Sequence, residues 1–384
     1  MDADRSSAHP KLTSGHLCIP AGGPAQRLPS LTGLRFYAAM LVVVSHLSKN
    51  FWGTTGAQIF SVGSVGVSFF FVLSGFVLTW SRQPLQRKSD FYRNRFARVY
   101  PLHFLGLTSA AVLIAVGHDS LTWPVAIACV LLVQAWVPFE HFYFGLNGPS
   151  WSLSCEAFFY ALFPFLAPRI LERRTQTLVR FMVYFYATVA VLTLVAHLLL
   201  RDGPVIGVLY VNPGYRVWEF VLGIALGALL RRGVHVPFSF LVAVSTTGVL
   251  FVLMSALNLA IMKNWSVFAM LPMQALPTDL ASMVLLPCFM AIIATVVNAE
   301  LHGGGVGAHL SNPLIVRLGE WSFALYLSHL LIISTVRHFL PGLSTGYVGV
   351  LLSFPVVAAC IGVSALLYTF FERPLEARIR GNRR

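Results

Sequence analysis

Apolar runs of membrane-spanning length recur along nearly the whole chain, and nothing else in the sequence restricts its fold so tightly. They fall at residues 31–50, 61–80, 98–117, 122–138, 151–168, 177–200, 214–230, 236–260, 280–298, 318–336 and 346–370. A helix needs about 20 apolar residues to cross the hydrocarbon layer, and inside that layer it satisfies its own backbone hydrogen bonds. The pattern predicts an all-α, polytopic integral membrane protein. Composition agrees: 57% of residues are hydrophobic and 11% charged, where a soluble domain carries about a quarter charged. The mean hydropathy is +0.73. No stretch is left over for a soluble domain.

The ends and the loops set the organisation. Residues 1–28 are polar and rich in Pro, Gly and Ser, which predicts a disordered extension without a removable signal peptide. Residues 29–376 form the expected membrane domain, and 377–384 a basic cytoplasmic tail. The five cysteines are scattered, odd in number and without metal-ligand spacing, so neither a disulfide framework nor a metal site is expected. The net charge of +13 does not point to nucleic acid, because the excess sits beside the spans, where topology explains it.

Basic loops mark the cytoplasmic face. The connection after the second run carries Arg82, Arg87, Lys88, Arg93, Arg95 and Arg98 against Asp90 alone. The stretch from Arg169 to Arg180 and the tail from Arg373 onward are also basic. Three crossings between Arg98 and Arg169 would place the second of these stretches outside. Two crossings place it, the Arg231–Arg232 pair and the C-terminus inside. The expectation is therefore about ten transmembrane helices in the cytoplasmic membrane, both termini inside, with one re-entrant or interfacial segment between 98 and 168. The two weakest spans there are 122–138, which runs into Pro138, and 151–168, which carries Glu156 and two prolines.

Ionisable side chains within spans are costly and usually functional. Arg35 and His46 share the first run with ten residues between them. Eleven steps of a helix make about three turns, which puts both on one side, about 16 Å apart. Arg95 and Arg98 are three apart, so a helix places them on one face at the inner boundary. They suit either a phosphorylated ligand or lipid headgroups. Glu156 could orient His46 or pair with an arginine, and Arg216 and Glu219 are spaced to pair with each other. Tyr326 and His329 share a helix face and suit either a cavity wall or a structural contact, whereas Glu372, before Pro374, reads as a helix terminator. The remaining histidines, His103 and His141 among them, form no constellation.

Seven segments in order resemble the acyltransferase 3 family of integral-membrane enzymes, which move acyl groups onto hydroxyls. They are LTGLRFYAAMLVVVSH, VGVSFFFVLSGFVL, RNRFARVYPL, NGPSWSLSCEAFFYALFP, NPGYRVWEFVLGIALG, GEWSFALYLSH and YTFFERP, and the resemblance spans Leu28 to Glu376. In length, and in having no appended hydrolase-like domain, the chain is most similar to the macrolide O-acyltransferases of antibiotic biosynthesis. Cys155 stands where family members commonly carry an aliphatic residue, and the N-terminal extension has no recognised counterpart.

The resemblance implies acyl-CoA as donor substrate, no tightly bound cofactor, and a hydroxylated small molecule or envelope glycan as acceptor. The lipid bilayer is the remaining partner. Transfer from a thioester to an alcohol needs a base, oxyanion stabilisation and a grip on the donor. His46 suits the base, since imidazole titrates near neutral pH, and Glu156 is its candidate catalytic companion. Arg35, Arg95 and Arg98 would meet the donor's phosphates. Direct transfer and an acyl-histidine intermediate both remain open. A transporter also carries interior charges, but transporters often show internal repeats. No second copy of the Arg-x10-His pair or of the FFVLSGF run occurs. A relative that binds lipid or sugar without catalysis would have no need of Arg35, His46, Arg95 and Arg98 together.

Overall fold

A computed structural model describes residues 26–83, 86–117, 122–199, 206–265, 275–343 and 346–381. Most of the expected N-terminal extension, 1–28, and the end of the tail, 377–384, lie outside the described residues. Within them the chain is helical and forms no strand. Ten helices of 15 residues or more organise it. They are α1 (Pro29–Phe51), α2 (Gly66–Trp80), α3 (Lys88–Val116), α4 (Trp151–Leu171), α5 (Thr175–Leu199), α6 (Pro213–Arg231), α7 (Phe240–Met262), α8 (Thr278–Leu301), α9 (Ser322–Phe339) and α10 (Gly346–Leu367). Eight of these, α2 counted with its leading turn from Gly53 and α10 with its continuation to Arg380, are long and apolar enough to cross a membrane. The other two, α6 and α9, have 19 and 18 residues and carry the buried polar groups Arg216, Glu219 and His329.

Of the two weak spans expected between 98 and 168, the run at 122–138 is the one that breaks. Instead of a span, residues 123–150 form short pieces, Trp123–Val130, Gln134–Trp136, Glu140–Tyr143 and Gly148–Ser150. Pro138 and Pro149 cannot donate a backbone hydrogen bond, and Leu132 and Leu146 take left-handed backbone angles, φ 57° and 56°, which bulky residues rarely adopt. Side chains collect the freed carbonyls. The His103 ring lies 3.0 Å from the Cys129 oxygen, Ser154 donates to Leu132 O at 2.6 Å, and Gln134 donates to Ser150 O at 3.1 Å. Asn147 donates to Leu327 O in α9 at 2.9 Å, and the Tyr326 hydroxyl donates to Pro149 O at 3.0 Å. The broken segment is thus docked on α9. Irregular backbone within a membrane domain is tolerated where protein buries it in this way. The other suspect, 151–168, is a continuous helix.

A close crossing of α2 and α6 forms the centre. A Cβ built on Gly75 would overlap the carbonyl oxygen of Phe220, and one built on Gly223 that of Val72. Small residues let two membrane helices approach backbone to backbone, where dispersion and packing hold them. Around this centre Phe159 stacks on Phe220 at 4.9 Å between ring centres, and Phe71 meets Trp151 edge-on at 6.1 Å. On the periphery the pattern inverts. Tyr184 of α5, Leu241 of α7 and Phe354 of α10 are 70%, 72% and 71% exposed. Apolar faces this continuous are not left to water, and lipid covers them in a membrane protein.

Candidate active site

The site begins on α1, whose helical register carries Arg35 and His46 to one side as their spacing predicts. At the histidine end, His46 meets His329 of α9. The His46 Nδ1 lies 3.1 Å from His329 Nε2 and 3.0 Å from the backbone oxygen of Val42, one turn back. His329 is wholly buried, and its own Nδ1 lies 2.8 Å from Tyr326 O and 3.1 Å from Leu325 O. The ring centres are 5.0 Å apart. Among the described residues His46 Nε2 has no hydrogen-bond partner.

At the arginine end four helices, α1, α2, α4 and α9, converge. A narrow cavity of about 30 Å³ is lined by Arg35, by Phe70 and Phe71 of α2, by Ser152 and Glu156 one turn apart on α4, and by Ser322 and Tyr326 one turn apart on α9. One of its walls, Tyr326, has its ring centre 6.1 Å from that of His329 on the same helix. Tyr326 also lies 2.9 Å from the Ser152 hydroxyl. Glu156 accepts a hydrogen bond from Tyr160 at 2.7 Å, and its charged neighbours are Arg35, Arg98 and Arg95. Of the two surroundings expected for Glu156, the arginines are its neighbours, and His329 holds the place beside His46.

The arginines are not equivalent. Arg98 reaches Glu372 at 2.8 Å and Glu376 at 3.2 Å. Arg95 packs its guanidinium 5.8 Å from the Phe91 ring and 6.0 Å from Tyr160, with its Nε buried and unpartnered. Among the described residues neither Arg95 nor Arg35 makes an ion pair. Glu372 does not end a helix as expected. A π-helical turn, Tyr368–Glu372, joins α10 to a helix over Arg373–Arg380, and the turn aims the buried carboxylate at Arg98. Arg216 and Glu219 pair with each other at 3.1 Å, and Arg216 also donates to Ser68 at 2.9 Å. This pair packs between α2 and α6, beneath the Phe71 ring 5.2 Å away. Among the described residues no three His, Cys, Asp or Glu side chains gather as metal ligands would.

Spacing found Arg35, His46, Arg95 and Arg98, and the structure brings them to the two ends of one arrangement. The His46–His329 contact was not legible, because 283 residues separate the partners. The available signal was the polar stripe Ser322, Tyr326, His329 on an otherwise apolar helix.

Comparison with known proteins decides the family. The family model for the acyltransferase domain, acyltransferase 3, matches residues 28–369. The chain belongs to the acyltransferase 3 family. It is 35% identical to the acyltransferase MdmB of Streptomyces mycarofaciens, an alignment that covers 93% of this chain and 94% of that one. It is 25% identical to a putative O-acetyltransferase of Staphylococcus aureus strain COL over 91% of this chain and 57% of the relative. A shorter match, 30% over 154 residues, covers 36% of this chain and 24% of the peptidoglycan O-acetyltransferase OatA of Listeria monocytogenes. No solved structure matches. The chain is an acyltransferase of the membrane, and its many apolar helices make it multi-pass.

Proposed function

We propose that this acyltransferase moves an acetyl, propionyl or similar group from acyl-CoA to a hydroxyl of a macrolide or related secondary metabolite. The observation that carries the donor assignment is that the half-buried Arg35 and Arg95 make no ion pair among the described residues, although they lie in the cluster around Glu156. Guanidinium groups left without an ion pair suit the phosphates of a coenzyme A donor, which would form charge-assisted pairs with them. Arg98, at the same boundary, completes the cluster. Arg35 and His46 lie on one side of α1, with Glu156 and Tyr326 beside Arg35, and the thioester arm would run along that side of the helix to His46. His46 is the general base, with an unpartnered Nε2. Acyl-CoA is a substrate here, and the reading needs no resident cofactor.

Support for a small-molecule acceptor is the near end-to-end match with a relative of the same length. The partial match with a peptidoglycan O-acetyltransferase supports a second reading, an envelope glycan as acceptor. Purified protein in lipid nanodiscs, given labelled acetyl-CoA and a panel of hydroxylated macrolides and glycan fragments, tests both. Transfer to a macrolide is expected, and His46→Ala should lower it by about 100-fold or more while leaving the protein folded. Absence of thioester consumption with every acceptor overturns the proposal, and activity of His46→Ala within a few-fold of the parent removes the base.

A further inference from the structure

We infer that His329 is a positioning residue that fixes the tautomer of His46 and thereby makes Nε2, not Nδ1, the nitrogen that takes the acceptor's proton. The inference rests on the acyl-transfer reading for its kinetic consequence and on geometry alone for the tautomer.

Backbone carbonyls only accept. His329 Nδ1 faces two of them, Tyr326 O at 2.8 Å and Leu325 O at 3.1 Å, so it must carry a hydrogen. In a neutral ring Nε2 is then bare and accepts. The atom presented to it is His46 Nδ1 at 3.1 Å, which must therefore be the donor. Val42 O, 3.0 Å from the same nitrogen, is a second acceptor for that shared hydrogen, and His329 Nε2 is the one that comes from another helix. The opposite assignment would set bare nitrogen lone pairs against three carbonyl oxygens, a repulsive contact in each case. With Nδ1 protonated, the lone pair of His46 sits on Nε2, the nitrogen left without a partner.

The transfer step then balances. The acceptor's O–H proton moves to His46 Nε2 as its oxygen bonds to the thioester carbon, and the carbonyl electron pair moves onto oxygen. Collapse re-forms the carbonyl, breaks the C–S bond and releases thiolate, which takes the proton back from Nε2. Throughout, Nδ1–H stays donated to His329, whose own Nδ1–H is anchored to α9. The buried ring holds the imidazole in orientation and stabilises the imidazolium as it forms, the part that a carboxylate takes in serine hydrolases.

Two measurements on purified protein in nanodiscs test this. With ¹⁵N-labelled histidine, and resonances assigned from His46→Gln and His329→Gln, solid-state NMR should show His46 protonated at Nδ1 and bare at Nε2. The reverse tautomer overturns the inference whatever the substrate is. For the kinetics, His329→Gln places an amide oxygen where Nε2 accepts and should keep kcat within about ten-fold of the parent. His329→Asn is too short to reach and His329→Met cannot accept. Both should lose about 100-fold in kcat with KM for either substrate unchanged. Equal losses in the Gln and Met variants, or none in either, overturn it. Because the NMR measurement uses no substrate, failure of the acyl-CoA reading shows separately, as a parent protein that does not turn over.

Discussion

Arg35, Arg95 and Arg98 share a charge and a boundary but differ in what answers the charge. Arg98 already holds Glu372 and Glu376, so its removal strands a carboxylate that is 1% exposed. Breaking a buried pair from one side costs about 3–5 kcal/mol, and Arg98→Ala should lower thermal stability in detergent, with Glu372→Gln restoring part of it. Arg35 and Arg95 have no such partners, so Arg35→Ala and Arg95→Ala should leave stability near the parent and raise the donor KM at least ten-fold. Arg95→Lys should be nearly as harmful, because an ammonium cannot reproduce the planar fork. Thermal unfolding and donor saturation curves separate the two behaviours. If Arg98→Ala unfolds no earlier than Arg95→Ala, the distinction fails. The sequence made these residues visible because a charge among apolar residues stands out. It could not show which were paired, since Glu372 and Glu376 lie more than 270 residues from Arg98 and only the folded turn at 368–372 aims them.

Among the helices, length and hydropathy made ten segments legible to within a few residues, except where charge or proline intervened. Helix α3 starts at Lys88 rather than 98, because its basic first turns are helical with an Asp90–Arg93 pair of 3.0 Å. Residues 122–138 were as apolar as a span yet break, because their backbone follows the tertiary contacts made by Asn147, Gln134 and Ser154 rather than local hydropathy. The α2–α6 crossing was also invisible, although GxxxG spacing at Gly223 and Gly227 is one of its marks. Here the structure makes a sharp comparison possible. Gly223→Leu would drive a side chain into the Val72 carbonyl, whereas Gly248→Leu on α7 meets nothing within 4 Å. Overpacking a tight core costs about 1–3 kcal/mol, and a backbone clash at the central crossing should reach the upper end. Thermal unfolding should fall clearly for the first and stay at the parental value for the second. Equal melting would mean that α2 and α6 do not cross this closely.

For the molecule as a whole, the order of helices and the broken segment together set which connections share a face. Beginning α1 inside and letting residues 123–150 enter and return without crossing, the ten long helices alternate so that the α4–α5, α6–α7 and α8–α9 connections and the end of α10 share one face. That face collects Arg169, Arg173, Arg174, Arg231, Arg232 and Arg373, which suits the inner, positively flanked side. We propose ten crossings on this basis, and the count is open to direct test. After replacement of the five native cysteines, single cysteines at Thr177, Ser239 and Gly381 should resist a membrane-impermeant thiol reagent in intact cells and react once the membrane is opened. Cysteines at Asn264 and Tyr347, the latter 93% exposed, should react in intact cells. Labelling at Thr177 from outside, with Asn264 protected, would mean that 123–150 crosses after all. The placement of Glu156 among the inner arginines would then have to be redrawn, because α4, which carries Ser152 and Glu156 into the cavity, would run the other way.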